Sequence, residues 1–291
     1  MTHTTYVNSL SNWGRWGAED ERGALNLITP EHIRRAAGLV KTGQVYSLAV
    51  PLTAEGPQWP PRHKTWQVTT YHNDWEPHGG ADDIIMMHSH SGTHLDALSH
   101  LWYENQLYNG YDAGKNISSE GARRNSIDRV QSIVGRGVLL DVARWKGVPH
   151  LNLGEPIGAA DLDQCAEAQN VRVGAGDLVL VRTSWMQMFH RDRELFNRGA
   201  PGLDETTLPW VKQHDIVLIG ADNHGVEVMD KIPPDDVPLH RVAIRDLGIY
   251  LLEDLNLEAL AADRVYEFLL VVAPLPLTGA VGSPVNPIAL A

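Results

Sequence analysis

His90-Ser91-Gly92-Thr93-His94-Leu95-Asp96-Ala97-Leu98-Ser99-His100 places three imidazoles and a carboxylate at offsets of 0, 4, 6 and 10. Every offset is even. Side chains along a strand alternate faces, so an extended run would project all four groups to one side. Gly92-Thr93 inside the run and Ile84-Ile85-Met86-Met87 ahead of it favour a strand entering a turn. A helix, pairing i with i+4, stays open as the alternative from Leu95 onward. Two imidazoles and a carboxylate suit Zn²⁺ or Mn²⁺ and leave positions for water. His90, His94 and Asp96 are therefore candidate metal ligands, and His100 is the candidate proton carrier. Fourteen histidines make chance pairs common, but four donors around one Gly-Thr step are much harder to reach by accident.

Outward from this run, the chain alternates strand-like and helix-like segments. Gly137-Val138-Leu139-Leu140-Asp141-Val142, Asp177-Leu178-Val179-Leu180-Val181-Arg182 and Ile216-Val217-Leu218-Ile219-Gly220-Ala221 are short, apolar and β-branched, as buried strands are. A further strand is expected over 45–50. Thr29 before Pro30 marks a helix start, with the helix running to about Val40, and 158–167 has a helical pattern. The Pro-, Trp- and His-rich stretch 58–80 is expected to form a loop or hairpin flap near a pocket. The fold class is α/β, with strand pairing expected to be mixed and helices around the sheet. No repeat, low-complexity linker or composition break divides residues 1–291, so one domain is expected, with an N-terminal arm over about 1–29.

The run resembles the pattern His-x-Gly-Thr-His-x-Asp-x-Pro-x-His of the cyclase superfamily of metal-dependent hydrolases, which includes bacterial kynurenine formamidase and isatin hydrolase. Leu98 stands where that pattern has proline, a backbone restraint and not a donor. The resemblance continues in Asn12-Trp13-Gly14-Arg15-Trp16-Gly17, in Gly23 to Pro30, in Val179 to Trp185, in Gly220-Ala221-Asp222-Asn223-His224-Gly225-Val226-Glu227 and in Gly282 to Ala289. It implies the swivelling β/β/α fold, with a mixed sheet or barrel-like core. Relatives with two metals use a histidine and a glutamate about a dozen residues apart, and His240 with Glu253 resembles that pair. Asp96 would then bridge. The resemblance also implies a homo-oligomer, a dimer or tetramer. The aromatic arm and the proline-interrupted stretch 274–287 are expected to lie across a neighbouring surface.

Three further residues are weaker substrate-binding candidates. Trp102 follows His100 closely, in a chain with nine tryptophans, and could wall an aromatic substrate. Asp222 and His224 follow a predicted strand, where functional groups often sit, although an ordinary Asx-type turn fits Asp222 equally. No Gly-x-Ser-x-Gly elbow or dinucleotide fingerprint is present. A net charge of −12 disfavours nucleic acid and anionic membrane as partners. The single cysteine, Cys165, excludes an internal disulfide, and with the absence of a signal-like N-terminus it points to the cytoplasm.

The sequence therefore points to a hydrolase that uses Mn²⁺ or Zn²⁺ to activate water against a non-peptide carbon–nitrogen bond. The substrate expected is an aryl formamide or cyclic amide. The same donors would serve a lactone or ester hydrolase or a cyclase. A non-catalytic protein with a structural metal is the alternative of another class, disfavoured because structural zinc sites are usually closed and cysteine-rich.

Overall fold

Long apolar runs form the centre of the molecule, as expected for strands covered on both faces. The structure is a computed structural model that describes residues 10–60 and 62–291. Its strands of three residues or more, in chain order, are β1 (Val45–Ser47), β2 (Trp66–Trp75), β3 (His78–Met86), β4 (His94–Asp96), β5 (Ile133–Asp141) and β6 (Leu178–Arg182). There follow β7 (Leu218–Ala221), β8 (Tyr250–Glu253), β9 (Glu267–Val272), β10 (Gly282–Pro284) and β11 (Ile288–Leu290). Among the described residues, nine of these form one mixed sheet in the order β1-β11-β9-β5-β6-β7-β8-β4-β10. The central strands β5, β6, β7 and β8 are parallel to one another. Antiparallel strands flank them on both sides.

The sheet curls. Beyond β1 the chain crosses back toward the far side: Ala49 bridges to Leu255, Asn256 N donates to Leu48 O at 2.8 Å and Val50 N donates to Thr93 Oγ1 at 2.9 Å. Helix α1 (Pro30–Ala37) starts where Thr29 caps it, and stops three residues before the expected end because Gly38 N closes the last turn onto Arg34 and Arg35 carbonyls. Helix α2 (Ala159–Ala168) lies where the 158–167 pattern placed one. Val142 leaves its expected strand to open a helical turn that Asp141 caps. The 45–50 segment is strand only over Val45–Ser47.

Three elements depart from or sharpen the sequence reading. The 58–80 flap is the start of an antiparallel ribbon, β2 with β3, so Ile84-Ile85-Met86 belongs to the ribbon and does not lead directly into the metal run. The described part of the arm lies over its own chain. Asn12 Nδ2 donates to Leu247 O at 2.8 Å and Trp13 Nε1 to Arg245 O at 2.7 Å. Residues 1–9 of the arm lie outside the described residues. Within the C-terminal stretch β10 pairs with β4, and β11 just beyond it pairs with β1 and β9, so these strands satisfy their backbone groups on the chain's own sheet. Among the described residues, no helix is long and apolar enough to cross a membrane.

Candidate metal centre and substrate cavity

The His-rich run is not one extended segment. Only His94, Leu95 and Asp96 are strand; His90 lies in the turn before and His100 in the turn after, where its N–H closes onto Ala97 O at 2.9 Å. Neither the continuous strand nor the helix from Leu95 forms. Gly92 at φ +59° makes the first bend, in the left-handed region glycine enters readily. The bends swing His90 and His100 inward, and their rings stand 4.1 Å apart. His94 and Asp96, two apart on β4, face the same side, as the period of two requires.

Two distant segments complete the cluster. Strand β8 pairs with β4 in a register that sets Glu253 beside His94. Helix α3 (Pro238–Val242) presents His240, whose Nε2 lies 3.0 Å from Asp96 Oδ2 and 3.7 Å from Glu253 Oε1. His90 Nε2 is 3.2 Å from Asp96 Oδ1, and His94 Nε2 is 3.6 Å from the same oxygen and 3.5 Å from Glu253 Oε2. His100 Nε2 is 4.0 Å from Asp96 Oδ1. Donor atoms of His90, Asp96 and His100 lie within 4.8 Å of one another, as do those of His94, Asp96 and Glu253. Asp96 belongs to both groups, so it could bridge two ions through its two oxygens.

These residues fit a divalent cation. Nδ1–H of His94 donates to Gly92 O at 2.8 Å, which leaves the lone pair on Nε2. That lone pair faces two carboxylates, a repulsive arrangement that a cation turns attractive. His90 Nε2 and Asp96 Oδ1 are buried with no hydrogen-bond partner among the described residues, whereas buried polar atoms normally have one.

Electrostatics divide the imidazoles. Burial holds the pKa of His100 well below the ordinary histidine value, against the pull of Asp96. Burial also lowers His90, again opposed by Asp96. For His240 burial is outweighed by the hydrogen bond and charge of Asp96 and by Glu253 and Glu227, which bring it up to about 9. Burial would raise Asp96, but His100, His240 and His90 hold it well below the usual carboxylate range. Glu227 is raised to about 7 by burial, although it accepts from Leu239 N at 2.9 Å and His240 N at 3.1 Å.

A cavity of about 320 Å³ opens beside the cluster. His100, His240, Glu253, Glu227 and Arg62 supply its polar groups, and Trp59, Leu101 and Met229 are among its apolar lining. That size and mixture suit a small organic ligand.

The sequence pattern of the family described as putative cyclase matches residues 46–228. The chain belongs to this family. A solved structure described as that of a novel cyclase is 37% identical, superposes with a TM-score of 0.91, and the match covers 97% of this chain and 100% of that one. Kynurenine formamidase of Geobacillus thermodenitrificans is 28% identical over 203 residues, 69% of this chain and 76% of that protein. Isatin hydrolase of Roseibium aggregatum is 27% identical over 217 residues, 71% and 73% of the two chains. An isatin hydrolase structure bound to a product analogue superposes with a TM-score of 0.64 at 24% identity over 88% of this chain and 94% of that one, a likeness of fold.

This cyclase-family chain thus gathers His90, His94, Asp96, His100, His240 and Glu253 into one centre. The three substrate candidates lie elsewhere. Trp102 is 38% exposed and does not line the cavity; Leu101 does, because the chain turns the next side chain outward. Asp222 is fully buried and accepts from Thr183 N at 2.8 Å, Thr183 Oγ1 at 2.6 Å and Ser184 N at 2.7 Å, so it ties the ends of β6 and β7. His224 Nδ1 meets Asp254 Oδ2 at 3.0 Å; its ring stands edge-on to Phe196 and to the cavity residue Trp59, and its buried Nε2 has no hydrogen-bond partner among the described residues, so it lies behind the cavity lining. Among the cavity residues that sequence reasoning missed are Trp59, Arg62 and Glu227. Trp59 and Arg62 fall at the head of the flap, the one available signal. Glu227 closes the Gly220–Glu227 stretch that carries part of the resemblance, but its pairing with His240 arises only in the folded chain.

Proposed function

We propose that this protein hydrolyses a non-peptide carbon–nitrogen bond, in an aryl formamide or cyclic amide, with Mn²⁺ or Zn²⁺ held by His90, His94 and Asp96 and with His240 and Glu253 available to a second ion. The observation that carries the reading is the His94 lone pair facing two carboxylates beside the orphaned His90 Nε2 and Asp96 Oδ1. The names of the formamidase and isatin hydrolase relatives support the choice of an amide bond. A divalent cation bound there supplies Lewis acidity toward a carbonyl oxygen and lowers the pKa of water.

The chain's own groups do the rest. Trp59, Leu101 and Met229 offer apolar surface on which the flat body of a small aromatic substrate packs. His100, kept neutral by burial, takes a proton at Nε2 from the attacking water and returns it to the leaving nitrogen. Glu227 fixes α3 by accepting two backbone N–H groups, and so aims His240.

The test is a panel of N-formyl arylamine, lactam and lactone substrates with EDTA-treated and reloaded protein. We expect amide hydrolysis to vanish with EDTA and to return with Mn²⁺ at least as well as with Zn²⁺. His94→Ala should lose the cation. His100→Ala should keep it and lose roughly 10²- to 10⁴-fold in kcat. Full activity in verified cation-free protein would sink the mechanism, and loss of the cation in His100→Ala would make His100 a ligand.

A further inference from the structure

Arg62 is the one Lys or Arg among the residues that line the cavity beside the metal centre. Its Nη1 donates to His90 O at 2.6 Å, and among the described residues the guanidinium makes no other hydrogen bond. Among the described residues no carboxylate pairs with it. Other largely buried arginines are each matched to acids: Arg182 to Asp141 and Glu258, Arg245 to Asp246, and Arg136 to Asp177 and Glu267. A guanidinium carries five donors in a planar fork shaped for a carboxylate. The cavity's own acids are engaged elsewhere. Glu227 accepts from two backbone N–H groups, and Glu253 faces His94 and His240. The cavity therefore holds a positive fork without an anion together with an apolar lining.

We propose that Arg62 selects a substrate that carries a carboxylate: a small, flat, anionic amide whose apolar body lies on Trp59 and Leu101 and whose carboxylate takes the free donors of Arg62. The inference rests on the amide-hydrolase reading for the scissile bond, and on the cavity alone for the charge. The 320 Å³ volume limits the molecule to about one or two rings. Because Nη1 is fixed on the carbonyl of a candidate ligand residue, the carboxylate sits close to the cluster, about one aromatic ring away. Arg62 acts here as a specificity residue and moves no proton.

The experiment compares 2-formamidobenzoate with formanilide, its counterpart without the carboxylate, on cation-loaded wild type, Arg62→Ala, Arg62→Gln and Arg62→Lys. Benzoate binding to each loaded protein is followed separately by tryptophan fluorescence. We expect the Ala and Gln variants to raise KM for 2-formamidobenzoate, and to weaken benzoate, by roughly 10- to 100-fold. Formanilide should lose at least about tenfold less than 2-formamidobenzoate in the same variants, the cation should still be bound, and Lys should restore part of the loss on 2-formamidobenzoate. An equal loss on both substrates with lowered cation content would show that Arg62 merely tethers His90, and would overturn the proposal. Benzoate that fails to bind wild type, or binds the Ala and Gln variants as well, would overturn it also. If benzoate binding depends on Arg62 while wild type cleaves neither formamide, the amide-hydrolase reading fails and the anion-recognising role of Arg62 stands.

Discussion

A methyl group on Gly282 would strike the metal centre. An added Cβ there would lie 2.4 Å from His90 Nε2, far inside contact distance, and the other near atoms belong to the same ring. Gly282 stands opposite Asp96 in the β10–β4 ladder, so its backbone is pinned against the strand that carries two candidate ligands. The histidine must therefore give way. In Gly282→Ala we expect Mn²⁺ affinity to fall by roughly 10- to 100-fold, the scale on which displaced supporting groups act. Overpacking should cost about 1–3 kcal/mol in stability. Titration of Mn²⁺ into EDTA-treated protein measures the first and thermal melting the second; an affinity equal to wild type would contradict the close packing of Gly282 on His90. At this scale the sequence was informative where ligands are neighbours. His90, His94, Asp96 and His100 could be read as a group because eleven residues hold them all. The role of Gly282 could not, since a glycine 192 positions after His90 carries no sign of what it touches until the sheet forms.

Elements explain why a partly wrong rule still found the site. The even spacing of the run assumes one continuous strand, yet β4 spans three residues and turns supply the outer histidines. Convergence survives because bends at Gly92 and at 97–100 fold both ends toward the same face. Glu253 joins through the β8–β4 register, which hydrophobic pattern alone does not specify across the 159 positions from His94 to Glu253. Asp222 shows the opposite case, a residue placed like a functional group that works as a fastener between β6 and β7. Burial raises its pKa to about 6, partly offset by the bonds from Thr183. The sign follows from linkage: a carboxyl whose folded pKa exceeds its unfolded one is stabilised by protonation in the fold. Its contribution is fully present below the unfolded value near 4 and is lost as pH rises through about 6. For this buried group the change is on the order of 3 kcal/mol. Asp222→Asn cannot titrate and loses an acceptor, so it should be destabilised most near pH 4 and less above pH 6. Urea unfolding of both proteins from pH 4 to 7 gives the difference directly. A penalty that grows with pH would show that Asp222 is ionised throughout.

For the whole molecule, the α/β class and mixed pairing were legible because buried parallel strands have continuous apolar runs. The exact seating of the ends was not, because aromatic and proline-broken composition looks the same whether a segment packs on its own body, on a partner or on both; here Asn12 and Trp13 bond to Leu247 and Arg245, and β10 pairs with β4. The β2–β3 ribbon is what this chain leaves uncovered. Cross-strand partners share a face, so Trp66 with Met86 and Val68 with Ile84 form one apolar patch near its base. Trp66, Ile84 and Met86 are 48%, 54% and 67% exposed. A two-stranded ribbon is marginal in water unless something packs on it. The ribbon is also rooted in the site, with Trp59 and Arg62 before β2 and His90 after β3, so whatever steadies it steadies the cavity mouth. A second copy is the occupant we expect, because identical antiparallel ribbons can pair about a two-fold axis and cover the same patch on each other. Light scattering at micromolar concentration should give at least twice the 32.2 kDa of one chain. The double substitution Ile84→Ser with Met86→Ser should shift the mass toward one chain, lower the affinity for Mn²⁺ only modestly, and speed proteolysis within 66–86. A wild-type mass of one chain, with the ribbon already resistant to protease, would show that the ribbon needs no partner.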